Sequence, residues 1–428
     1  MRRLGIADEG RNVRCHMVIW LYYLAILVLW WDGSNFIIIE PRISVFMVVF
    51  GAAFAALLIA VLFGRQRIVR LPQLIPLLIL AFWIVFTTMT AQHTPLAITA
   101  LYTWFNRLLL AGTTAWVILT RVQVRRLVKV LIFACLVSAL LMILQFTLRK
   151  GFVNPKNVER LVAGTSWRSA IVGFYMMAPM ALMAAYAIFG RGTKRVSAGV
   201  LAVLFGLATL YSGTRSTFAG LMVVLAMLML ARPGLGRIRS IVLSVLLAVA
   251  VALVFSRVLP ERTQRLMQKA EVARSDIRFD YLWPEAWRLF KEHPVLGIGP
   301  GGFVGRTAWS VHNSVLEMAT EMGVLGCLLY SWLLAIPYFN YRYAMKRLRH
   351  TRDGWIWVGL YCGYPGMVVG TVLHGFGGWL PALWFLVGLS YAARNLAGQE
   401  DEALEPQSFL PDYEGHAEYR QPQPVYET

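Results

Sequence analysis

Residues 43–63 have the sequence ISVFMVVFGAAFAALLIAVLF. This stretch contains no charged residue, and two arginines, Arg65 and Arg67, follow it closely. A helix of about 20 apolar residues is long enough to cross the hydrocarbon core of a lipid bilayer. The stretch therefore predicts a membrane-spanning helix that ends at a basic loop.

Similar apolar runs recur along most of the chain, from Met17 to Tyr391. Apolar residues make up 58% of the 428 residues, which is too high a share for a water-soluble domain. The predicted spans are 17–31, 43–63, 72–90, 96–119, 127–148, 169–189, 196–211, 217–231, 241–255, 313–339, 354–373 and 379–393. We therefore expect an all-α integral membrane protein of about 12 transmembrane helices, with one polytopic domain over residues 1–396.

The net charge of +19 is concentrated in alternate loops between these apolar runs. The basic loops are 65–70, 121–126, 191–195, 232–239 and 342–352. Because short basic loops remain in the cytoplasm, these loops and both termini are predicted to be cytoplasmic. Basic residues spaced in this way form no continuous basic face, which argues against nucleic acid as a partner.

Two of the loops predicted to face outward carry more charge than the others. They are residues 149–168 and 256–312, and the second is the large loop. Positive charge is disfavoured on the outer face, so the arginines of both loops need a role other than topology. Residues 397–428 are acidic and almost free of aliphatic side chains, which predicts a disordered cytoplasmic tail.

The first candidate functional residue is His312, in the segment VHNSVLEMATEMGVLG that opens the tenth predicted span. We expect His312 to begin a helix at the membrane surface. An imidazole with an ordinary pKa of about 6.5 can accept a proton from a sugar hydroxyl, which is the task of a general base. The alternative role is that of a helix cap or an interfacial anchor.

The second candidate is Arg215, in the segment YSGTRSTFAG. We expect Arg215 to lie in a short outer turn between two apolar helices, against the positive-inside bias. A guanidinium fixed there suits the pyrophosphate of a lipid-linked donor, which it can bind with two parallel hydrogen bonds. The alternative is an arginine that extends to the interface or binds the carbonyl groups of a helix end.

The third candidate is Arg278, near the start of an amphipathic helix predicted from about Asp276 to His293 in the large loop. Arg278 is the predicted ligand contact, whereas Arg265, Lys269 and Arg274 are expected to form a solvated face. Three aromatic side chains of this helix are expected near one face: Trp283, Trp287 and Phe290. Contact with lipid or packing on other residues is favoured for them, and the alternative is that they line a sugar cleft.

The sequence predicts neither a metal site nor a cofactor. The four cysteines, at positions 15, 135, 327 and 362, include no Cys-x-x-Cys pair. No Asp-x-Asp occurs in a predicted outer loop, and Asp276 and Asp280 have the spacing of a solvated helix face. Residues 297–302, GIGPGG, follow no predicted strand and are expected to form a turn, not a nucleotide-binding loop.

Three of these segments, in the same order, resemble motifs of the O-antigen ligase and polymerase superfamily of bacterial envelope assembly. His312-Asn313, followed after nine residues by Gly323-x-x-Gly326, resembles its signature, and YSGTRS resembles its Ser-Arg turn. HPVLGIGPGGF resembles the motif that closes its large periplasmic loop, and RLVAGT at 160–165 resembles a weaker motif. SWRSAIVGF follows RLVAGT where the family commonly has an Asn-Pro-Asn-like element.

The resemblance implies transfer of a glycan from undecaprenyl pyrophosphate to an acceptor at the periplasmic face of the bacterial inner membrane, with inversion at the sugar. His312 would be the base on the acceptor hydroxyl. Arg215 and Arg278 would hold the donor pyrophosphate, with Arg160 and Arg168 as further donor-binding residues. Arginines can stabilise the charge that develops on this leaving group without a metal ion.

Three acceptors are open within that superfamily: the lipid A-core oligosaccharide, the end of a second lipid-linked glycan, and a protein serine or threonine. We favour the lipid A-core, as in a ligase. One large loop without an added C-terminal domain is compatible with a ligase and also with a polymerase. A lipid-oligosaccharide flippase or another transporter also fits the helix count, and Arg107, deep in the fourth span, favours it. The outer-surface position of the other candidates favours transfer.

Overall fold

The structure is a computed structural model that describes most of the membrane-embedded chain. The described residues are 6–29, 38–40, 43–64, 74–148, 169–190, 192–212, 214–231, 277–375, 378 and 380–404, with scattered positions between 238 and 253. Of the sequence candidates, Arg160, Arg168, Arg265, Lys269, Arg274 and Asp276 lie outside these residues.

The described residues form helices, joined by short turns. The helices are α1 (Ile6–Leu29), α2 (Val45–Leu62), α3 (Ile75–Met89), α4 (Thr94–Val117), α5 (Arg121–Leu148), α6 (Ser169–Phe189), α7 (Lys194–Tyr211), α8 (Arg215–Leu230), a π-helical turn (Arg278–Leu282), α9 (Trp283–Glu292), α10 (Gly302–Thr307), α11 (Ser314–Leu348), α12 (Gly354–His374) and α13 (Pro381–Leu404). A two-stranded antiparallel ribbon precedes α2, with β1 at Ile38–Glu40 and β2 at Ile43–Ser44. This ribbon is a small departure from the all-α expectation.

The helical membrane-protein class that the sequence predicted agrees with these elements. Every predicted span that falls within the described residues coincides with a helix, whereas 241–255 lies mostly outside them. Among the described residues, four helices are long and apolar enough to cross a bilayer: Val45–Leu62, Ile171–Phe189, Ser314–Leu348 and Gly354–His374. Shorter apolar helices occur at Met17–Leu29, Ile75–Met89 and Arg215–Leu230. The count of about twelve spans remains a prediction.

Two helices extend beyond their predicted ends. Helix α11 continues to Leu348, so the first part of the basic loop 342–352 is helical. Helix α13 continues to Leu404, so the first eight residues of the predicted disordered tail, 397–404, are helical. The residues added to α13 include alanine, leucine and glutamate, which are strong helix formers even where they are polar.

Helices α6, α8 and α12 pack closely because glycines lie at the positions where the helices cross. A Cβ added at Gly220 of α8 would lie 2.5 Å from the carbonyl oxygen of Gly366 in α12. A Cβ at Gly359 of α12 would lie 2.7 Å from the Cα of Leu182 in α6. Small residues let helix backbones approach closely within a membrane. This packing holds the start of α8 next to the end of α12.

The described connections fall at two opposite ends of the bundle. At one end, the start of α5 is joined to the α11–α12 connection by an ion pair between Arg125 and Asp353. At the other end, the backbone N–H of Gln92 in the α3–α4 loop donates to the carbonyl oxygen of Ile298 at 3.3 Å. The first end carries the described parts of the predicted cytoplasmic loops 121–126, 191–195 and 342–352, and the second carries the described part of the large loop, 277–312.

Candidate active site

His312 lies one residue before the N-cap of α11. The N-cap is Asn313, whose Oδ1 accepts hydrogen bonds from the backbone N–H groups of Val315 at 3.1 Å and Leu316 at 3.2 Å. The sequence predicted that His312 begins the helix, whereas the first helical residue is Ser314, two positions later. Because the asparagine already satisfies the first N–H groups of the helix, capping is not the role of His312.

The backbone of His312 is in the left-handed region, with φ 57°. A residue with a side chain is uncommon there, and such strain persists only where the surrounding structure fixes it. Here the neighbour is Gly375, which has φ 79°. A Cβ at Gly375 would lie 2.7 Å from the Cα of His312, so this contact requires glycine.

The imidazole of His312 is oriented by the end of α12. Its Nδ1 lies 3.2 Å from the carbonyl oxygen of His374, and the two imidazole rings meet edge to face with centroids 5.8 Å apart. A carbonyl oxygen can only accept a hydrogen bond, so this contact places the proton of a neutral imidazole on Nδ1. The lone pair is then on Nε2, which is the arrangement that a general base requires.

His374 connects this pair of histidines to α8. The Oγ of Ser216 lies 3.2 Å from Nδ1 of His374, and Ser216 is only 6% exposed. Ser216 directly follows Arg215 in α8. The structure thus brings His312, His374, Ser216 and the backbone of Arg215 to one end of the bundle, although they come from three separate parts of the sequence.

Neither His374 nor Ser216 was predicted from the sequence to be a site residue. His374 is the last residue of α12 and Ser216 is the second residue of α8. A histidine at the outer end of an apolar span, followed by glycine, was the available indication. That indication is weak until the fold places His374 beside His312.

Arg215 is the first residue of α8, and its side chain is exposed. The predicted short turn ends at Thr214, so Arg215 lies directly after the turn and not in it. The N-terminus of a helix carries a partial positive charge, which disfavours a cation unless an anion is near. An exposed arginine beside a helix N-terminus is able to bind an anion.

Hydroxyl groups fix the turn that precedes Arg215. The Oγ1 of Thr217 lies 2.9 Å from the Oγ of Ser212 and 2.7 Å from the Oγ1 of Thr214. Gly173 of α6 allows this cluster to pack, because a Cβ at Gly173 would lie 2.6 Å from the Oγ of Ser212. The backbone that carries Arg215 is thereby positioned by buried contacts on its inner side.

Arg278 begins the π-helical turn that leads into α9, and its side chain is half-buried. The predicted amphipathic helix is present, but its buried stripe is Leu282, Ala286 and Leu289. The predicted aromatic face lies beside this stripe. Trp287 remains 50% exposed and contacts Phe290, with ring centroids 5.3 Å apart.

Trp283 anchors this segment next to the candidate base. Its Nε1 donates to the carbonyl oxygen of Val311 at 3.1 Å, and Val311 directly precedes His312. Trp283 also packs against a small apolar cluster composed of Leu282, Ala286, Leu289, Ile298, Phe303 and Val311. The part of the large loop that carries Arg278 is therefore attached to the segment that carries His312.

Arg288, on the exposed face of α9, is occupied by neighbouring carboxylates. It donates from Nε to Glu285 at 2.8 Å and forms a further ion pair with Glu292. The hydrogen bond from Arg288 lowers the pKa of Glu285 below its ordinary value. These contacts pair Arg288 with two carboxylates at the surface of α9. The donor-binding role of Arg278 remains a prediction from the sequence.

The glycine-rich turn of the large loop lies against a break in α11. The break is at Gly323, with φ 70° and ψ −173°, where a Cβ would lie 2.0 Å from the carbonyl oxygen of Val295. The N–H of Ile298 donates to the carbonyl oxygen of Thr320 at 3.0 Å, and Val324 N–H donates to that of Pro294 at 2.8 Å. The turn therefore binds the membrane helix, and the interrupted helix explains Gly323 of the signature.

Glu321, within α11, binds the same turn. It was not predicted from the sequence. Its side chain is 4% exposed, and its carboxylate accepts backbone hydrogen bonds from Gly301 at 2.8 Å and Phe303 at 3.3 Å. Both oxygens are thus used to hold the chain that leads to His312. We infer that Glu321 has a positioning role.

The described residues contain no group of three or more His, Cys, Asp or Glu side chains placed to hold a metal ion. Metal independence remains a prediction from the sequence. The donor-binding roles of Arg160 and Arg168 also remain predictions.

Residues 200–331 match the family model described as O-antigen ligase. The matched stretch contains Arg215, Arg278 and His312, whereas His374 lies 43 residues beyond its end. This match supports the O-antigen ligase superfamily for the chain and an enzyme of the ligase and polymerase kind. No curated protein matches the chain at a significant level.

Proposed function

We propose that this chain, as a protein of the O-antigen ligase superfamily, transfers a glycan from undecaprenyl pyrophosphate to the lipid A-core oligosaccharide. The reaction takes place at the periplasmic face of the inner membrane, and both termini are cytoplasmic. The observation that carries this proposal is the chain of contacts from His312 through His374 to Ser216, directly beside Arg215.

His312 acts as the general base in this proposal. Its Nε2 accepts the proton of the acceptor hydroxyl while that oxygen attacks the anomeric carbon of the donor sugar. The bond from this carbon to the pyrophosphate oxygen breaks, and undecaprenyl pyrophosphate leaves with the electron pair. Attack opposite the leaving group inverts the configuration. A positioned base contributes on the order of 10²–10⁴-fold to such a reaction.

Arg215 and Arg278 bind the pyrophosphate of the donor in this proposal. Charge develops on the leaving phosphate oxygens as the bond breaks, and guanidinium groups stabilise it through paired hydrogen bonds. The N-terminus of α8 adds backbone N–H groups and a partial positive charge to the same place. Arg160 and Arg168 are assigned to the same donor on the basis of the sequence motif.

The position of these residues favours transfer over transport. His312 precedes α11, Ser216 is near the start of α8 and His374 ends α12, so all three lie at helix ends. Transporters place their substrate sites at discontinuous helices near the bilayer midplane. Arg107, the residue that favoured a transporter, is half-buried within α4.

The acceptor is tested by transfer from one donor to three acceptors. Purified full-length protein in lipid nanodiscs receives a radiolabelled undecaprenyl-pyrophosphate glycan and, in separate reactions, lipid A-core, unlabelled lipid-linked glycan or an acceptor peptide. We expect labelled product with lipid A-core. Elongation of the lipid-linked glycan alone would identify a polymerase, and a labelled peptide alone would identify a protein O-oligosaccharyltransferase.

A matched variant shows whether the product comes from the candidate site. His312→Asn keeps a polar side chain of similar size but cannot accept a proton at neutral pH. We expect no product with this variant in any of the three reactions. If the wild-type reactions give no product but the protein in sealed proteoliposomes moves the donor across the bilayer, a transporter would be supported instead.

A further inference from the structure

A second charged region lies at the end of the bundle opposite the candidate active site. A cavity of about 1140 Å³ lies between the start of α5, the α6–α7 connection and the α11–α12 connection. Four cationic side chains line it: Arg125, Lys129, Arg349 and Arg352. Asp353 is the only acidic side chain in its described lining. We call this region the basic cavity.

The cations of the basic cavity are only partly neutralised within the described residues. Arg125 donates to the carboxylate of Asp353 from Nε at 3.0 Å and from a second guanidinium nitrogen. Lys129, Arg349 and Arg352 are exposed and form no ion pair within the described part of the chain. Like charges that share one cavity repel each other, so a bound anion would stabilise the arrangement.

Apolar side chains also line the basic cavity, and we call them its apolar wall. Val128, Ile132, Phe189, Trp355 and Val358 contribute to the lining. The volume is that of a site for a large organic ligand, and an inorganic phosphate would fill only a small part of it. A ligand with a negative headgroup and an apolar body would satisfy both the cations and these side chains.

We propose that the basic cavity binds the headgroup phosphate of an anionic phospholipid, with the upper part of an acyl chain against the apolar wall. The positive-inside rule predicts that this end faces the cytoplasmic leaflet. Basic pockets between transmembrane helices on that side suit anionic lipid headgroups. The bound phosphate would connect Lys129 on α5 with Arg349 and Arg352 next to α12. This inference does not depend on the proposed transfer reaction.

Native mass spectrometry of the full-length protein tests this site, with phosphatidylglycerol as the probe and phosphatidylcholine as the zwitterionic comparison. The variant Lys129→Gln/Arg352→Gln removes two exposed cations that line the cavity. We expect it to bind phosphatidylglycerol on the order of 10-fold more weakly, while phosphatidylcholine binding is unchanged.

The matched control is Arg342→Gln/Lys346→Gln, which makes the same charge change at the same end. Arg342 and Lys346 are exposed and do not line the basic cavity. We expect this control to retain phosphatidylglycerol like the wild type. Equal retention by both double variants, or equal loss in both, would overturn the proposal, because binding would then reflect general surface charge.

A soluble competitor separates a lipid headgroup from a free phosphate. Both present a phosphate to the same cations, but only the lipid also contacts the apolar wall. We expect millimolar glycerol phosphate to leave bound phosphatidylglycerol in place. Complete displacement by glycerol phosphate would overturn the lipid assignment and identify a site for soluble phosphates.

Discussion

The Nδ1 atom of His312 lies 3.2 Å from the carbonyl oxygen of His374, a residue 62 positions further along the chain. The orientation of the candidate base therefore depends on the exact end of α12. Because the contact uses a backbone oxygen, it depends on the path of the chain at Gly375 more than on the side chain of His374. Two predictions separate the imidazole itself from the backbone that orients it.

The first prediction is that His312→Asn nearly abolishes transfer. Loss of a general base should lower the single-turnover rate by on the order of 10²–10⁴-fold. Donor binding should survive, because the pyrophosphate is held by arginines that this change leaves in place. The measurements are the single-turnover rate, the affinity for the lipid-linked donor and the melting temperature of one preparation. A near-normal rate in a stable protein would remove His312 from the role of base.

The second prediction is that Gly375→Ala displaces His312 and lowers transfer by about 10- to 100-fold, since a displacement of about 1 Å can cost that much. The added Cβ would lie 2.7 Å from the Cα of His312. Alanine is also unfavourable at φ 79°. Transfer rate and donor affinity are measured together, and we expect only the rate to fall.

Gly112→Ala is the matched control for this change. Gly112 lies within α4, where nothing is within 4 Å of an added Cβ, and alanine is the better helix former. We expect Gly112→Ala to keep the wild-type rate. An unchanged rate in Gly375→Ala as well would show that the contact at Gly375 does not orient the base.

The candidates found from sequence share one property: each departs from a simple rule. His312 and Asn313 place polar side chains at the start of an apolar run, and Arg215 and Arg278 are basic residues on the side that should lack them. Such a departure can be recognised from the amino-acid sequence alone. The positions of most helices could also be predicted from the sequence, because a helix that crosses the bilayer needs an apolar run of about 20 residues.

The partners of those candidates could not be predicted in this way. The contacts between Ser216, His374 and His312 exist because glycines bring α8 and α12 together, and no pattern in a single helix specifies which helices meet. Glu321 was missed because an isolated acid in a helix does not reveal that it accepts N–H groups 18 to 20 residues earlier.

The third prediction is that Arg215→Ala lowers kcat/KM for the donor. The expected loss corresponds to about 1.5–3 kcal/mol of transition-state stabilisation, the scale of a lost charge-assisted contact. Transfer is measured at sub-saturating donor, where this loss appears as a reduced kcat/KM. Arg215→Lys should recover only part of the activity, because an ammonium group cannot form the paired hydrogen bonds of a guanidinium. Activity equal to wild type in Arg215→Ala would place the pyrophosphate elsewhere.

The fourth prediction is that transfer needs no divalent metal ion. Arginines supply the stabilising charge in the proposed reaction, so an excess of chelator should leave the rate unchanged. The rate is measured with chelator alone and after magnesium or manganese is restored. Activity that disappears with chelator and returns with either metal would contradict this mechanism.

The fifth prediction is that the end of the bundle with His312 faces the periplasm. The basic loops at the opposite end should remain in the cytoplasm by the positive-inside rule. The test uses a variant in which the cysteines at 15, 135, 327 and 362 are replaced by alanine. Single cysteines are then introduced as Lys156→Cys, Lys291→Cys or Lys194→Cys. Lys291 of α9 and Lys194 of α7 are both exposed, so access to the reagent depends on the side of the membrane and not on burial.

Intact cells with a permeabilised outer membrane are treated with a membrane-impermeant thiol reagent. We expect labelling of Lys156→Cys and Lys291→Cys, and labelling of Lys194→Cys only after the inner membrane is disrupted. Disruption also serves as the control that each cysteine can react. The reverse pattern would invert the topology and place His312 in the cytoplasm, away from a lipid-linked glycan in the periplasmic leaflet. The proposed reaction could not then occur at this site, even if the geometry around His312 were correct.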